Sequence, residues 1–168
     1  MKKDFSKIKL FAMDVDGTLT DGKIYIGNDG EVMKAFNAKD GLGIKLLIKK
    51  GIIPIIITGR RSKIVTRRCE EIGITVLYQG VRDKADILKT VMAKYDCTPE
   101  QTVYIGDDMN DLSAMQTAGI TFAPADCDAA LHPYVDFVLT QKSGDAPVRE
   151  AIDIILENRL TLSDYESI

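Results

Sequence analysis

Short apolar runs alternate along the chain with stretches whose apolar residues recur every three or four positions. The run IKLFAMD (8–14) predicts a strand that leads into Gly17. KIYIGNDGEVMKAF (23–36) has two β-prone arms around Asn28-Asp29-Gly30 and predicts a hairpin, because Asn and Gly tolerate positive φ. In DGLGIKLLIKKG (40–51), Ile44, Leu47 and Ile48 share a helical face and Gly51 supplies a stop. IIPIIITG (52–59) predicts a buried strand with Pro54 near its start. A helix follows over 61–73, with Ile64, Val65, Cys69 and Ile72 inward; then a strand, TVLYQG (75–80). The next helix spans 83–95 with Ile87, Leu88, Val91, Met92 and Tyr95 on one stripe. TVYIGDD (102–108), ITFA (120–123) and DFVLT (136–140) predict further strands, and MNDLSAMQTAG (109–119) and APVREAIDIILENR (146–159) further helices.

This alternation predicts an α/β fold: a Rossmann-like, doubly wound, mostly parallel sheet with helices on both faces and a protruding hairpin (about 23–36) after the first strand. There is no repeat, low-complexity tract or linker, so 1–168 is expected to form one domain, with a tail over about 159–168.

Composition narrows the class. The 168 residues are 45% hydrophobic and 28% charged, as in an ordinary globular protein. A net charge of −3 gives no reason to expect nucleic acid as a partner. The N-terminal apolar run, broken by Asp14, is too short for a signal peptide, and GIIPIIIT is far too short for a membrane span. Three scattered cysteines without a CxxC argue against a disulfide framework or a zinc site and fit a reducing cytoplasm.

In a sheet of this kind, ligands bind beyond the carboxyl ends of the strands. Four such ends carry chemistry: Asp14 and Asp16; Thr58-Gly59-Arg60; Lys84, just beyond the third strand; and Gly106-Asp107-Asp108. With Asp111, five carboxylates would converge there and repel one another unless a cation intervenes. A hard divalent ion with oxygen ligands fits, and Mg²⁺ suits a few carboxylates plus phosphate oxygens. Gly17 and Thr18 let backbone amides approach an anion, while Thr58 and Lys84 suit phosphoryl oxygens. Together these describe phosphoryl transfer through an aspartyl-phosphate.

Blander explanations exist for each piece. A calcium loop starting at Asp14 needs Gly at its sixth position and Glu at its twelfth; Leu19 and Tyr25 stand there instead. GDDMND alone can be a helix start, Thr58-Gly59 a turn, and Lys84 a solvated helix residue. Their joint occurrence, in order, at successive strand ends favours an active site. His132, the only histidine, and Cys69 read as structural.

DVDGTLT, ITGR, Lys84 and GDDMND resemble the four ordered motifs of the haloacid dehalogenase superfamily of phosphatases. The resemblance implies that Asp14 is the nucleophile and a Mg²⁺ ligand. Asp16 would be the general acid and base, and its backbone carbonyl would bind the metal. Asp107 would be the third protein ligand. Thr58 and Lys84 would hold the phosphoryl group, while Asp108, Asn110 and Asp111 would orient the metal waters and Lys84. No cap-sized insertion follows Asp16 or Thr58, which places the chain with the capless members. Those it resembles are tetramers whose hairpins form a central barrel and whose neighbours cover each site.

Within that subclass, FNAKDGLGIK, ITGRRSKIVTRR and LYQGVRDK are similar to phosphatases of phosphorylated eight-carbon sugar acids. The substrate-lining set implied is Asp16, Asn37, Ala38, Lys39, Asp40, Gly41, Lys45, Gly59, Arg60, Arg68 and Lys84. Two departures stand out: Lys45 where the family has Arg, and a less glycine-rich tail near Gly144. The resemblance also implies a cytoplasmic role in making a lipopolysaccharide sugar. A related group acting on nine-carbon sugar acids carries Glu where Arg60 stands. From another class, a non-catalytic phosphoacceptor or assembly subunit would use the same Asp, Thr and Lys but would keep its phosphate longer.

Overall fold

The computed structural model describes residues 3–157 and 159–166. The chain runs through β1 (Leu10–Met13), a hairpin of β2 (Tyr25–Gly27) and β3 (Gly30–Met33), α1 (Ala38–Lys49) and β4 (Ile53–Thr58). It continues through α2 (Lys63–Ile72), β5 (Val76–Gln79), α3 (Lys84–Lys94), β6 (Thr102–Ile105) and α4 (Leu112–Met115). β7 (Ile120–Ala123), β8 (Phe137–Val138) and α5 (Pro147–Ile155) complete it. Six strands form one sheet in the order β5-β4-β1-β6-β7-β8, with every pairing parallel.

The runs lack polar alternation because the sheet is covered on both faces. Phe11 and Met13 of β1 point to one side, where α1, α2 and α5 contribute Ile44, Leu47, Val65, Cys69, Val148 and Ile152. Leu10 and Ala12 point to the other, against Leu88 and Val91 of α3 and Met115 of α4. Pro54 sits inside an interior strand at no cost to the ladder. Ile53 donates to Lys9 on the β1 side, so the nitrogen of Pro54 faces β5, where pairing starts only at Ile55.

The helix expected over 109–119 is shorter: a 3₁₀ turn, Met109–Asp111, leads into α4, because Asp108 and Asp111 cap that turn reciprocally. In the tail, Lys50 Nζ lies 2.8 Å from Asp164 Oδ2, and Lys49 Nζ donates to the Ser163 and Asp164 carbonyls at the end of α1. That part of the tail therefore packs on its own chain; residues 167 and 168 lie outside the described residues.

Candidate active site

β1 lies between β4 and β6, so three of the four strand ends singled out by the sequence are adjacent in space. Asp14 follows β1 and is 4% exposed. Thr58, the last residue of β4, is buried, as is Lys84, the first residue of α3. Asp107 follows β6 after Gly106. Gly17 lets this loop close: its φ is +93°, and a Cβ there would meet Asp107 Oδ2 at 1.9 Å. Thr18 Oγ1 then donates to Asp107 Oδ1 at 3.2 Å.

Lys84 Nζ donates to Asp111 Oδ1 at 2.6 Å and lies 3.1 Å from Asp14 Oδ1. The approach to Asp14 is an ion pair without hydrogen-bond alignment, so Asp14 Oδ1 stays buried with no donor. Asp111 differs. Its Oδ1 also accepts from Tyr104 Oη at 2.6 Å, and its Oδ2 accepts from the Asp107 and Asp108 amides at 3.1 and 3.5 Å. Oxygens of Asp14, Asp107 and Asp111 all lie within 4.8 Å of one another. With both Asp111 oxygens supplied with donors, Asp14 and Asp107 remain the carboxylates open to a cation.

The electrostatics fit such an ion. Burial, then repulsion from Asp111, pushes Asp14 up to about 6, against the pull of Lys84. Burial, then Asp111 and Asp14, raises Asp107 to about 7. Burial alone would lower Lys84, but Asp14 and Asp111 outweigh it and keep the ammonium above its ordinary range. Burial and the neighbouring acids hold Tyr104 well above the usual phenol value, so it stays a neutral donor. A lone lysine among three acids leaves the cluster short of positive charge, which a divalent cation with oxygen ligands supplies.

These ordered motifs agree with the comparisons. The haloacid dehalogenase-like hydrolase profile matches residues 73–152. The 3-deoxy-D-manno-octulosonate 8-phosphate phosphatase of Yersinia pestis is 46% identical over 151 residues, covering 90% of this chain and 81% of that one. The chain belongs to this family of haloacid dehalogenase-like phosphatases. The Escherichia coli K12 family member is 43% identical over 149 residues, covering 89% of this chain and 79% of that one. The solved Moraxella catarrhalis phosphatase, in complex with magnesium ion, phosphate ion and KDO, has a TM-score of 0.88 and 40% identity, and the match covers 91% of this chain and 88% of that one.

The residues that the family resemblance placed at the substrate do not all gather at the strand ends. Arg60 does: its Nε lies 3.7 Å from Asp16 Oδ2, and its side chain is half exposed. Gly59, beside it, is exposed. Asn37 instead caps α1, accepting from the Lys39 amide at 3.0 Å and donating to the Gly144 carbonyl at 3.2 Å. Asp40 is 2% exposed, and its Oδ1 accepts from the Arg149 amide at 2.7 Å. It thereby supplies the N-terminal cap of α5 that Ala146, with φ of 69°, cannot. The Asp40 side chain thus packs through Oδ1, while Oδ2 is buried without a partner; burial raises the carboxyl to about 7. Gly41 leaves room for Arg68, whose Nη2 a Cβ would meet at 2.6 Å. Arg68 lies over the Phe36 ring and, with Ala38 and Lys45, lines a depression of about 270 Å³ outside the acid cluster. Lys39 faces another surface cleft, with Asp145 and Arg149. Asp108 caps the 3₁₀ turn, and Asn110 is exposed.

Three contributors were missed by the sequence reading. Lys34, just beyond β3, has a side chain only 1% exposed; its Nζ donates to Asp16 Oδ1 and lies 3.1 Å from Glu31 Oε1. Glu31 Oε2 in turn accepts from Ser62 Oγ, at the N-cap of α2. The chain's own hairpin therefore partly covers the site. The only cue was a lysine inside an apolar hairpin arm. Tyr104 was visible merely as a phenol in a strand buried on both faces, where its hydroxyl must find a partner.

Proposed function

We propose that this protein is a Mg²⁺-dependent phosphatase that hydrolyses 3-deoxy-D-manno-octulosonate 8-phosphate to the free sugar acid and phosphate. The observation that carries the reading is the buried Asp14 carboxylate, set between the Lys84 ammonium and the Asp107 carboxylate at the sheet edge. Asp14 and Asp107, with the Asp16 carbonyl, would hold Mg²⁺ here. When bound, the ion neutralises the acids and draws charge from the phosphoryl oxygens.

Asp14 attacks phosphorus and forms an aspartyl-phosphate, while Asp16 protonates the departing sugar oxygen. Asp16 then takes a proton from the water that cleaves the intermediate. Thr58 and Lys84 hold the phosphoryl oxygens. Asp111, fixed by Tyr104 and two backbone amides, keeps the Lys84 ammonium in place. Asp108 and Asn110 would orient the waters of the bound ion. Residues 1–168 act as one catalytic domain.

Substrate choice rests on Arg60, the cation of the substrate set beside Asp16. Steady-state kinetics on the eight-carbon ester and its nine-carbon analogue test the assignment. The wild type is expected to favour the former, and Arg60→Glu to shift the ratio of kcat/KM toward the latter by about tenfold. An unchanged ratio removes Arg60 from specificity; a wild type favouring the nine-carbon ester overturns the substrate. Stable phosphorylation of Asp14 without phosphate release favours the phosphoacceptor instead.

The working unit is a homotetramer in which neighbours complete each site, with Asn37–Gly41, Lys45 and Arg68 lining the substrate at those interfaces. The support is the hairpin's apolar surface: Ile26 is 71% and Val32 61% exposed, with Ile24, Tyr25 and Met33 beside them. Ile26→Asp should shift the light-scattering mass from four chains toward one and lower kcat/KM at least tenfold; a tetramer of unchanged mass refutes this interface. No helix among the described residues is long and apolar enough to cross a membrane. The proposed setting is the cytoplasm, in synthesis of the lipopolysaccharide sugar.

A further inference from the structure

Asp16 meets a cation at each carboxylate oxygen, and the two differ in burial. Lys34 donates to Oδ1 from the hairpin, whereas Arg60 stands 3.7 Å from Oδ2 on a half-exposed side chain. The Lys34 ammonium is the more enclosed of the two. It is buried, it bridges Asp16 and Glu31, and Glu31 is tied to Ser62 at the start of α2. Withdrawing this ammonium would strand two partly buried carboxylates, so its position is strongly determined.

We propose that Lys34 is a positioning residue for Asp16: by occupying Oδ1 it fixes the carboxylate so that Oδ2 is the oxygen that exchanges protons with the substrate. The proposal rests on the phosphatase reading above. In the first half-reaction an Asp14 oxygen bonds to phosphorus, the bond from phosphorus to the sugar oxygen breaks with its electron pair on oxygen, and the proton on Asp16 Oδ2 goes to that oxygen. In the second, water bonds to phosphorus, its proton goes to Asp16 Oδ2, and Asp14 departs with the electron pair of the bond it had made. Lys34 touches no reacting atom. Its contribution is geometric, and misplacing a reacting group by about 1 Å can cost a hundredfold.

The test uses kcat/KM, which reports the steps through leaving-group departure. Two esters are compared: the sugar-acid 8-phosphate, whose alkoxide needs a proton to leave, and p-nitrophenyl phosphate, whose phenolate leaves without one. Lys34→Met should lower kcat/KM for the sugar-acid ester by about 30- to 100-fold and for the aryl ester by less than about threefold, with Lys34→Arg recovering part of the loss. In an Asp16→Asn background, which removes the proton donor, Lys34→Met should cost nothing further on either ester. Glu31→Gln, which loosens Lys34 without deleting it, should show the same selectivity at smaller amplitude and serves if Lys34→Met does not fold.

Equal losses on both esters indicate a structural role and overturn the proposal. A selective loss that persists with Asp16→Asn means that Lys34 binds the substrate directly, which also overturns it, as does full activity of Lys34→Met. If the wild type releases no phosphate, or Asp14→Asn still does, the phosphatase reading fails and this proposal with it. If turnover is Asp14-dependent but the Lys34 pattern is absent, only the positioning role fails.

Discussion

Asp14→Asn is expected to abolish phosphate release, with kcat falling at least about 10⁴-fold, as removal of a covalent nucleophile does elsewhere. The amide matches the carboxylate in shape but cannot open the covalent route, so no acid-stable phosphoprotein should be trapped on quenching. The same substitution should make the metal-free protein more stable at pH 8. Asp14 and Asp107 are held up at about 6 and about 7 by burial and by repulsion within the cluster, and Asn removes one of the repelling charges. Lys84 keeps Asp111 as its partner. Lost activity with a raised Tm separates a catalytic from a structural role, since a packing defect lowers both. Turnover within tenfold of wild type would exclude Asp14 as nucleophile.

Chelation is the second large effect. EDTA should cut phosphate release by at least about 10³-fold, corresponding to several kcal/mol of charge stabilisation, and added Mg²⁺ should restore it. The pH dependence of stability follows with a definite sign. Both acids have folded-state values above the ordinary 3.8. The metal-free fold therefore prefers them protonated. Their contribution is most favourable below about pH 4 and is lost as pH rises through about 6 and about 7. Asp40 tilts stability the same way but lies outside the cluster. The diagnostic is thus the Tm increment produced by Mg²⁺, which should be large at pH 8 and shrink toward pH 5 as protons compete with the ion. An increment independent of pH would mean that the ion binds elsewhere.

The order of strands and helices was legible because a sheet covered on both faces writes itself as apolar runs, and because ligands of such sheets collect at strand ends. Asp14, Thr58, Lys84 and Asp107 could be named for that reason. Lys34 could not. Its role depends on how the hairpin folds back over Asp16, and a period-two pattern does not encode the direction of a hairpin relative to a separate sheet. Asp40 makes the same point: nothing local signals that a charged residue at a helix start accepts from the amide of a helix more than a hundred residues away. Lys45 and Arg68 line one surface depression, a grouping of α1 with α2 that their separation in the sequence does not reveal.

The central placement of β1 bears on how the protein acquires activity as it folds. Its partners arrive late: β4 begins some forty residues further on, and β6 some ninety. Asp14 meets Asp107 and Lys84 only after both of these long loops have closed, and loop closure of non-local pairs is slow. The hairpin and the isolated helices, by contrast, need only local contacts. Secondary structure should therefore return early in refolding, while catalytic competence returns only with completion of the central three strands.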